Sequence, residues 1–266
     1  MWIHNLDPVL VHLGPLQIRW YGLVYLLGFL LGIWWLQHAR KKGILVISEE
    51  GVWDLIFYLM LGVIIGSRLF MIFWNPEIYL YKPWNLLYIW QGGMSFHGGF
   101  VGIIVACWYY CKKKQLDFWK VADILAVPAI FALALGRIAN FMNGELVGRV
   151  WNGQWCVVFP DYGQECRHPN MIYSAFQRFI VFGWLLFLSV KKDFKAGFIF
   201  WNFVFWEGIG RFIVDFYRHD LPQNYILSLS LGQWFSLVMI VVAGYIFYKK
   251  HIVDWKRLLN LGTPQE

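Results

Sequence analysis

Several short stretches of this chain bring together residue types that can do chemistry. The longest is Gly136-Arg137-Ile138-Ala139-Asn140-Phe141-Met142-Asn143-Gly144-Glu145-Leu146-Val147-Gly148-Arg149. It begins inside an apolar run, Ile124 to Leu135, that is otherwise fit for a bilayer. A charged side chain at membrane depth costs about 2.5–3.5 kcal/mol on insertion scales, so Arg137 needs a partner or a task. Arg137 and Asn140 are three apart and share a helix face. The plain alternative is a helix end at the interface, with Arg137 snorkelling to headgroups. A second stretch, Gln91-Gly92-Gly93-Met94-Ser95-Phe96-His97-Gly98-Gly99, sets four glycines around one histidine. Glycines let helices approach closely, and an imidazole near its usual pKa of about 6.5 can take a proton from a thiol or hydroxyl. A satisfied structural histidine is the competing reading. In a third stretch, Glu207, Arg211, Asp215 and Arg218 fall on one helical stripe. They form either a self-neutralising ion ladder or a held guanidinium aimed at an anion. Arginine suits phosphate because its planar fork donates two hydrogen bonds at once. Finally, Arg19-Trp20-Tyr21-Gly22 puts a tyrosine at the start of an apolar segment, where an interfacial belt is its default role. His97, Arg137 and Arg211 together suggest a site for an anionic phospholipid.

The elements that must position these residues are membrane spans. Of 266 residues, 59% are hydrophobic and only 15% charged, against roughly 45–50% and 25% in a soluble domain. The net charge of +7 would hint at nucleic acid in a soluble protein; here the basic residues read as topology determinants. Seven apolar stretches are long enough to span, near 20–38, 53–74, 93–111, 120–140, 171–190, 196–216 and 226–248. Pro128 should kink the fourth. One set of connections holds Arg40, Lys41 and Lys42, then Lys112, Lys113, Lys114 and Lys120, then Lys191, Lys192 and Lys195, then Lys249, Lys250, Lys256 and Arg257, fourteen in all. The other set holds five: Arg19, Lys82, Arg149, Arg167 and Arg218. Arg68, Arg137, Arg178 and Arg211 lie within spans, and no partner for Arg68 is readable. The richer side is cytoplasmic. The N-terminus is then outside and the C-terminus inside.

The expected architecture is an all-α integral membrane protein with seven transmembrane helices and a small extracytoplasmic head between spans four and five. Residues 1–258 form one membrane domain, including outside segments 75–92 and 141–170, and 259–266 form a short cytoplasmic tail. Residues 1–19 lack a basic start and a small-residue cleavage site, and read as an interfacial lead-in. Asn152-Gly153 beside an aromatic and β-branched run predicts a hairpin in 141–170. Cys107 and Cys111 read as packing residues. Cys156 and Cys166 share the outside loop, where oxidation is open to them but their separation is unknown. No metal-ligand pattern is present in the sequence.

The glycine–histidine and Arg137 stretches resemble signatures of bacterial prolipoprotein diacylglyceryl transferases. Arg19-Trp20-Tyr21-Gly22, Arg167-His168-Pro169 and Gly210-Arg211-Phe212-Ile213-Val214-Asp215-Phe216-Tyr217-Arg218 match further blocks of that family in the same order. The resemblance covers nearly the whole chain and is weaker after Tyr248. It implies a multi-pass enzyme of the bacterial inner membrane. It would transfer the diacylglyceryl group of phosphatidylglycerol to the lipobox cysteine in the signal peptide of a preprolipoprotein, forming a thioether and releasing glycerol 1-phosphate. The positions it implicates are Tyr21, His97, Arg137, Asn140, Glu145, Gly148, Arg211, Asp215 and Arg218. His97, Arg137, Arg211 and Tyr21 are expected in catalysis; Arg137, Asn140, Glu145, Gly148, Arg211, Asp215 and Arg218 in substrate binding. It implies no metal or organic cofactor, and no nucleic-acid partner. Two departures stand out: Ser174 occupies a position that is often glutamate, and Asp215 stands where glutamate is expected.

In the mechanism this implies, the cysteine thiolate attacks the lipid's glycerol carbon, arginines stabilise the departing phosphate, and His97 is the candidate base for a thiol of pKa near 8.5. The rival is a phospholipid flippase using the same arginines as a headgroup relay. A transporter needs polar residues continuing to the cytoplasmic side, and the cytoplasmic halves of most spans are plainly apolar.

Overall fold

The computed structural model describes residues 2–13, 16–74, 76–88, 95–191, 194–219 and 225–259; for Leu13, Leu16, Tyr25, Phe73, Trp74, Ile78, Leu86, Phe96 and His97 it describes the backbone alone. Gln91 to Met94, which open the histidine stretch, lie outside the described residues, as do residues 260–266 of the tail. The fold is helical. Five helices are long and apolar enough to cross a membrane: α1 (Trp20–Lys41), α2 (Glu49–Trp74), α5 (Phe118–Met142), α6 (Asn170–Val190) and α8 (Leu231–Lys250). Two more, α4 (Phe96–Lys114) and α7 (Phe198–Asp215), are 19 and 18 residues long; α4 ends in Lys112, Lys113 and Lys114, and α7 carries Glu207, Arg211 and Asp215. Short helices α3 (Pro76–Tyr81) and α9 (Ile252–Leu258) complete the described set. Large apolar side chains stay exposed along these helices, among them Leu26 and Leu30 on α1, Phe57 and Ile65 on α2, and Phe235 and Val241 on α8. Water would penalise such surfaces, and lipid does not.

Local chemistry explains where the helices begin. Glu49 and Glu50 occupy the first turn of α2, where the helix dipole favours acids, so α2 starts four residues before its apolar core. Ser95 caps α4 by accepting from the Gly98 amide (3.3 Å), which moves that start to Phe96. Ser230 and Gln233 form a reciprocal capping box on α8. The residues before α8 fold as a hairpin of β6 (Tyr225–Ile226) and β7 (Leu229–Ser230), turned by Leu227 and Ser228 at positive φ. The expected span from 226 therefore begins instead at Leu231. Pro128 lies inside α5, which continues to Met142.

The chain forms two compact units, residues 33–122 and residues 1–32 with 123–266. In the first, α2 packs on α4 through small residues. A Cβ on Gly102 would run into the Gly62 carbonyl, and one on Gly98 into the Gly66 carbonyl, so backbones touch where side chains would otherwise stand. The Ser95 amide donates to the Ser67 carbonyl (3.2 Å). Arg68 is 4% exposed and its guanidinium donates to the Tyr88 carbonyl. The glycines after His97 are thus committed to helix packing.

In the second unit, β4 (Val157–Val158) pairs with β5 (Cys166–Arg167) in antiparallel fashion and with β1 (Trp2–Ile3) in parallel. This corrects the expected hairpin. The turn between the paired strands is not Asn152-Gly153 but a short 3-10 turn at Pro160–Tyr162. Far from being only an interfacial lead-in, the N-terminal segment supplies the third strand, and residues 9–13 and 16–19 form a hairpin, β2 with β3. His4 Nε2 donates to the Phe141 carbonyl (2.7 Å), tying β1 to the end of α5. Gly144, at φ +67, makes the turn out of α5 directly beneath His4. Val147, Val157, Phe159 and Met171 close a small core under these strands.

Cys156 and Cys166 form a disulfide, with Cα atoms 5.5 Å apart, and it staples β4 to β5. A bridge closing a loop of this size contributes roughly 2–3 kcal/mol. Cys156→Ser with Cys166→Ser is therefore expected to lower the midpoint of thermal inactivation while leaving helix content intact. An unchanged midpoint would show that the strands hold without the bridge.

Candidate active site

Asp123, near the start of α5, accepts from the amides of Gly197 and Phe200 (both 2.7 Å) and so caps α7. This pins the starts of α5 and α7 together. Arg137 lies fourteen residues beyond Asp123, and Arg211 fourteen beyond Gly197, each about 21 Å along its helix at 1.5 Å per residue. The two arginines consequently reach the same level, and they line one cavity. Its other walls are Asn170 and Ser174 from α6, Val214 and Asp215 from α7, and Arg218 just beyond it; the empty space is about 230 Å³, mouth included.

The wall is positive. Arg137, Arg211 and Arg218 face it with Asp215 as the carboxylate among the lining residues. Arg137 lies within the repulsive fields of Arg178, Arg211 and Arg218, and within the attraction of Glu207. Arg211 Nε stands 3.9 Å from Asp215 Oδ2, and Ser230 Oγ donates to the same oxygen at 3.4 Å. Gly232 makes this possible, because a Cβ there would press on the Asp215 carboxylate and the Arg211 guanidinium. One turn deeper, Arg178 on α6 pairs with Glu207 on α7 and donates to Ser174 Oγ. Both members are buried. Removing one partner of such a pair strands the other charge, typically at a cost of about 3–5 kcal/mol.

Arg137 is oriented from its other side by a chain of hydrogen bonds. Its Nη1 donates to Asn140 Oδ1 (3.4 Å). Asn140 Nδ2 donates to the Tyr21 hydroxyl, and that hydroxyl donates to Glu145 Oε2 at 3.3 Å. Asn143 holds the second Glu145 oxygen at 3.0 Å. Polarised chains of this kind strengthen one another. Tyr21 reaches the site because Gly28, two turns along α1, brings that helix against Ala132 of α5.

Gly148 closes a backbone stitch. Its amide donates to the His168 carbonyl (3.0 Å), the Arg149 amide to the Tyr217 carbonyl (2.8 Å), and the His219 amide to the Val147 carbonyl (3.1 Å). A Cβ on Gly148 would sit 2.5 Å from the His168 oxygen and 2.8 Å from that of Tyr217. Only glycine fits, and the stitch fixes Arg218 at the cavity rim. His168 stacks on Trp151, with ring centroids 4.4 Å apart, and its Nδ1 meets the Tyr173 hydroxyl at 3.1 Å. Burial pushes the His168 pKa below its usual value.

The family model for prolipoprotein diacylglyceryl transferase matches residues 8–249. The chain belongs to the prolipoprotein diacylglyceryl transferase family. A curated relative from Geobacter sulfurreducens, named phosphatidylglycerol–prolipoprotein diacylglyceryl transferase, is 40% identical over 245 residues, covering 91% of this chain and 94% of its own. Relatives with the same name from Vibrio parahaemolyticus and Cupriavidus metallidurans are 41% and 38% identical, covering 90% and 92% of this chain and 88% and 93% of theirs.

Of the positions the prolipoprotein diacylglyceryl transferase resemblance implicates, Arg137, Arg211, Asp215 and Arg218 line the cavity, and Tyr21, Asn140 and Glu145 form the chain behind Arg137. Glu145 does not pair with Arg137 directly but reaches it through Asn140. Gly148 lies in the stitch outside the cavity lining. His97 sits in the first turn of α4, in the unit formed by residues 33–122, and its side chain lies outside the described residues. Glu207 corrects the ladder: its partner is Arg178 across the helix interface, not Arg211 on its own stripe. With a serine at 174, the carboxylate nearest that part of the cavity comes from α7. Sequence reasoning passed over Asn170, and placed Arg178 within a span without giving it a role. For Arg178 a signal existed, since an arginine inside a span needs a partner. For Asn170, first residue of a span and flanked by proline, none did.

Proposed function

We propose that this chain transfers the diacylglyceryl group of phosphatidylglycerol to the lipobox cysteine of a preprolipoprotein, forming a thioether and releasing glycerol 1-phosphate. The observation that carries the reading is the arginine-lined cavity shared by Arg137, Arg211 and Arg218. The substrates are those in the relatives' names. The thiol proton passes to a base, for which His97 is the candidate. The thiolate sulfur then attacks the glycerol carbon of the lipid that bears the phosphate ester. The S–C bond forms as the C–O bond breaks, and the electron pair leaves on the phosphate oxygen. Charge therefore builds where guanidinium donors stand preorganised. The chain from Glu145 through Tyr21 and Asn140 fixes Arg137, and Asp215 holds Arg211 ready. Purified protein given acyl-labelled phosphatidylglycerol and a lipobox peptide should move label onto the cysteine. Label that only changes leaflet in proteoliposomes would make the chain a flippase instead.

The reading places the chain in the bacterial inner membrane, with α1, α2, α4, α5, α6, α7 and α8 as seven crossings of one domain. The N-terminus and residues 141–170 lie outside, and the C-terminus and the tail lie in the cytoplasm. The fourteen-to-five bias of basic residues supports this orientation. A reporter inserted after Gly153 should be active only if it works outside the cytoplasm; cytoplasmic activity there would invert the topology.

A further inference from the structure

The cavity wall holds one group that a phosphate cannot satisfy. Asn170 is 5% exposed and lines the cavity beside the three arginines. Its side-chain oxygen Oδ1 has no hydrogen-bond partner among the described residues. Buried carbonyl oxygens are nearly always paired, and leaving one without a donor is unfavourable. Two other acceptor atoms of the wall are already engaged: Ser174 Oγ by Arg178, and Asp215 Oδ2 by Arg211 and Ser230. The remaining polar side chains of the wall are guanidiniums, which can only donate, and Val214 is apolar. A phosphodiester can only accept. It takes the arginine donors and leaves Asn170 Oδ1 unsatisfied.

What fits that oxygen is an O–H donor carried on the same ligand, close to its phosphate. Three arginines disfavour a cationic headgroup such as an ammonium. A neutral polyol headgroup satisfies both demands, with its phosphate on the arginines and its hydroxyl on the amide.

We propose that Asn170 reads a headgroup hydroxyl and so sets the preference of the cavity for a glycerol headgroup over one without hydroxyls. This rests on the transfer reaction proposed above. A site built to bond a substrate hydroxyl discriminates strongly against the analogue lacking it, because its own polar group is then left unpaired. A single neutral hydrogen bond sets the scale at about 10-fold to 100-fold.

The test uses purified protein in phospholipid micelles, phosphatidylglycerol as donor, a lipobox peptide as acceptor, and phosphatidylpropanol as competitor. Phosphatidylpropanol keeps the phosphodiester and a three-carbon headgroup but has no hydroxyl. Competition reads its affinity whether or not it is turned over. The wild-type protein should prefer phosphatidylglycerol by about 10-fold to 100-fold. Asn170→Leu, similar in size and without polar atoms, should lose that preference: kcat/KM for phosphatidylglycerol falls by the same factor, while the affinity for phosphatidylpropanol is retained. Asn170→Thr restores an acceptor and should recover part of the preference. Asn170→Ala carries the same comparison if the leucine variant does not accumulate. Equal weakening of both lipids would overturn the proposal, and would mean that the amide donates to the phosphate or serves packing. So would an unchanged preference in Asn170→Leu, or a wild-type protein that does not discriminate. If the wild-type protein lipidates no peptide at all, it is the transfer reaction that fails.

Discussion

Arg137→Lys is expected to lower kcat/KM for lipid transfer by about 10²–10³-fold, the scale for losing one preorganised donor at a developing oxyanion. The substitution keeps the charge and removes the fork. Lysine cannot donate to Asn140 and to a phosphate in one plane, so the chain running back to Tyr21 and Glu145 loses its purpose. Because the leaving phosphate gains charge in the transition state, the loss should fall on kcat as well as KM. Arg211→Lys should behave alike, and more mildly, because Asp215 still holds the ammonium near the wall. Initial-rate kinetics across phosphatidylglycerol concentrations would check this. A rise in KM with kcat unchanged would mean that Arg137 binds the lipid uniformly and takes no part in the chemistry.

His97→Gln is expected to lower turnover by about 10²–10⁴-fold, the usual worth of a general base, with lipid affinity nearly unchanged. Glutamine keeps the size and a hydrogen-bond donor but cannot take a proton. A peptide thiol has pKa near 8.5, so raising the pH supplies thiolate without help. The deficit of the variant should therefore shrink as pH climbs toward 9, while the wild-type protein flattens above the histidine pKa. A pH–rate profile of both proteins reads this directly. Near-normal turnover in the variant across the range would return His97 to helix packing, alongside Gly98 and Gly102.

The sequence carried much of this architecture, and the misses have physical causes. Apolar length finds the helices, because a backbone in lipid must satisfy its own hydrogen bonds. It does not find their first residues, which caps decide: Glu49 and Glu50, Ser95 and Ser230 each moved a start. The strands were largely hidden. β1 meets β4 across more than 150 residues, and two-residue strands leave no periodicity to read. The disulfide was open in the sequence, because compartment permits a bond and only distance makes it; the strands supply the distance.

At the site, residue types were more legible than partners. Arginines within apolar runs announced themselves as Arg137, Arg178 and Arg211. The i, i+4 rule then assigned Glu207 to Arg211, because it sees one helix at a time; packing of α6 on α7 gave Glu207 to Arg178 instead. Glu145, implicated in substrate binding, is found beyond Tyr21, a residue from the other end of the chain. Gly148 and Gly232 look alike in sequence, yet one closes a backbone stitch and the other clears space for a carboxylate.

The most direct measurement of the central claim is an experimental structure with phosphatidylglycerol bound. The account predicts the lipid phosphate in the cavity of Arg137, Arg211 and Arg218, within about 3.2 Å of guanidinium nitrogens from both Arg137 and Arg211. A phosphate bound elsewhere, with those two arginines turned only to Asn140 and Asp215, would contradict it.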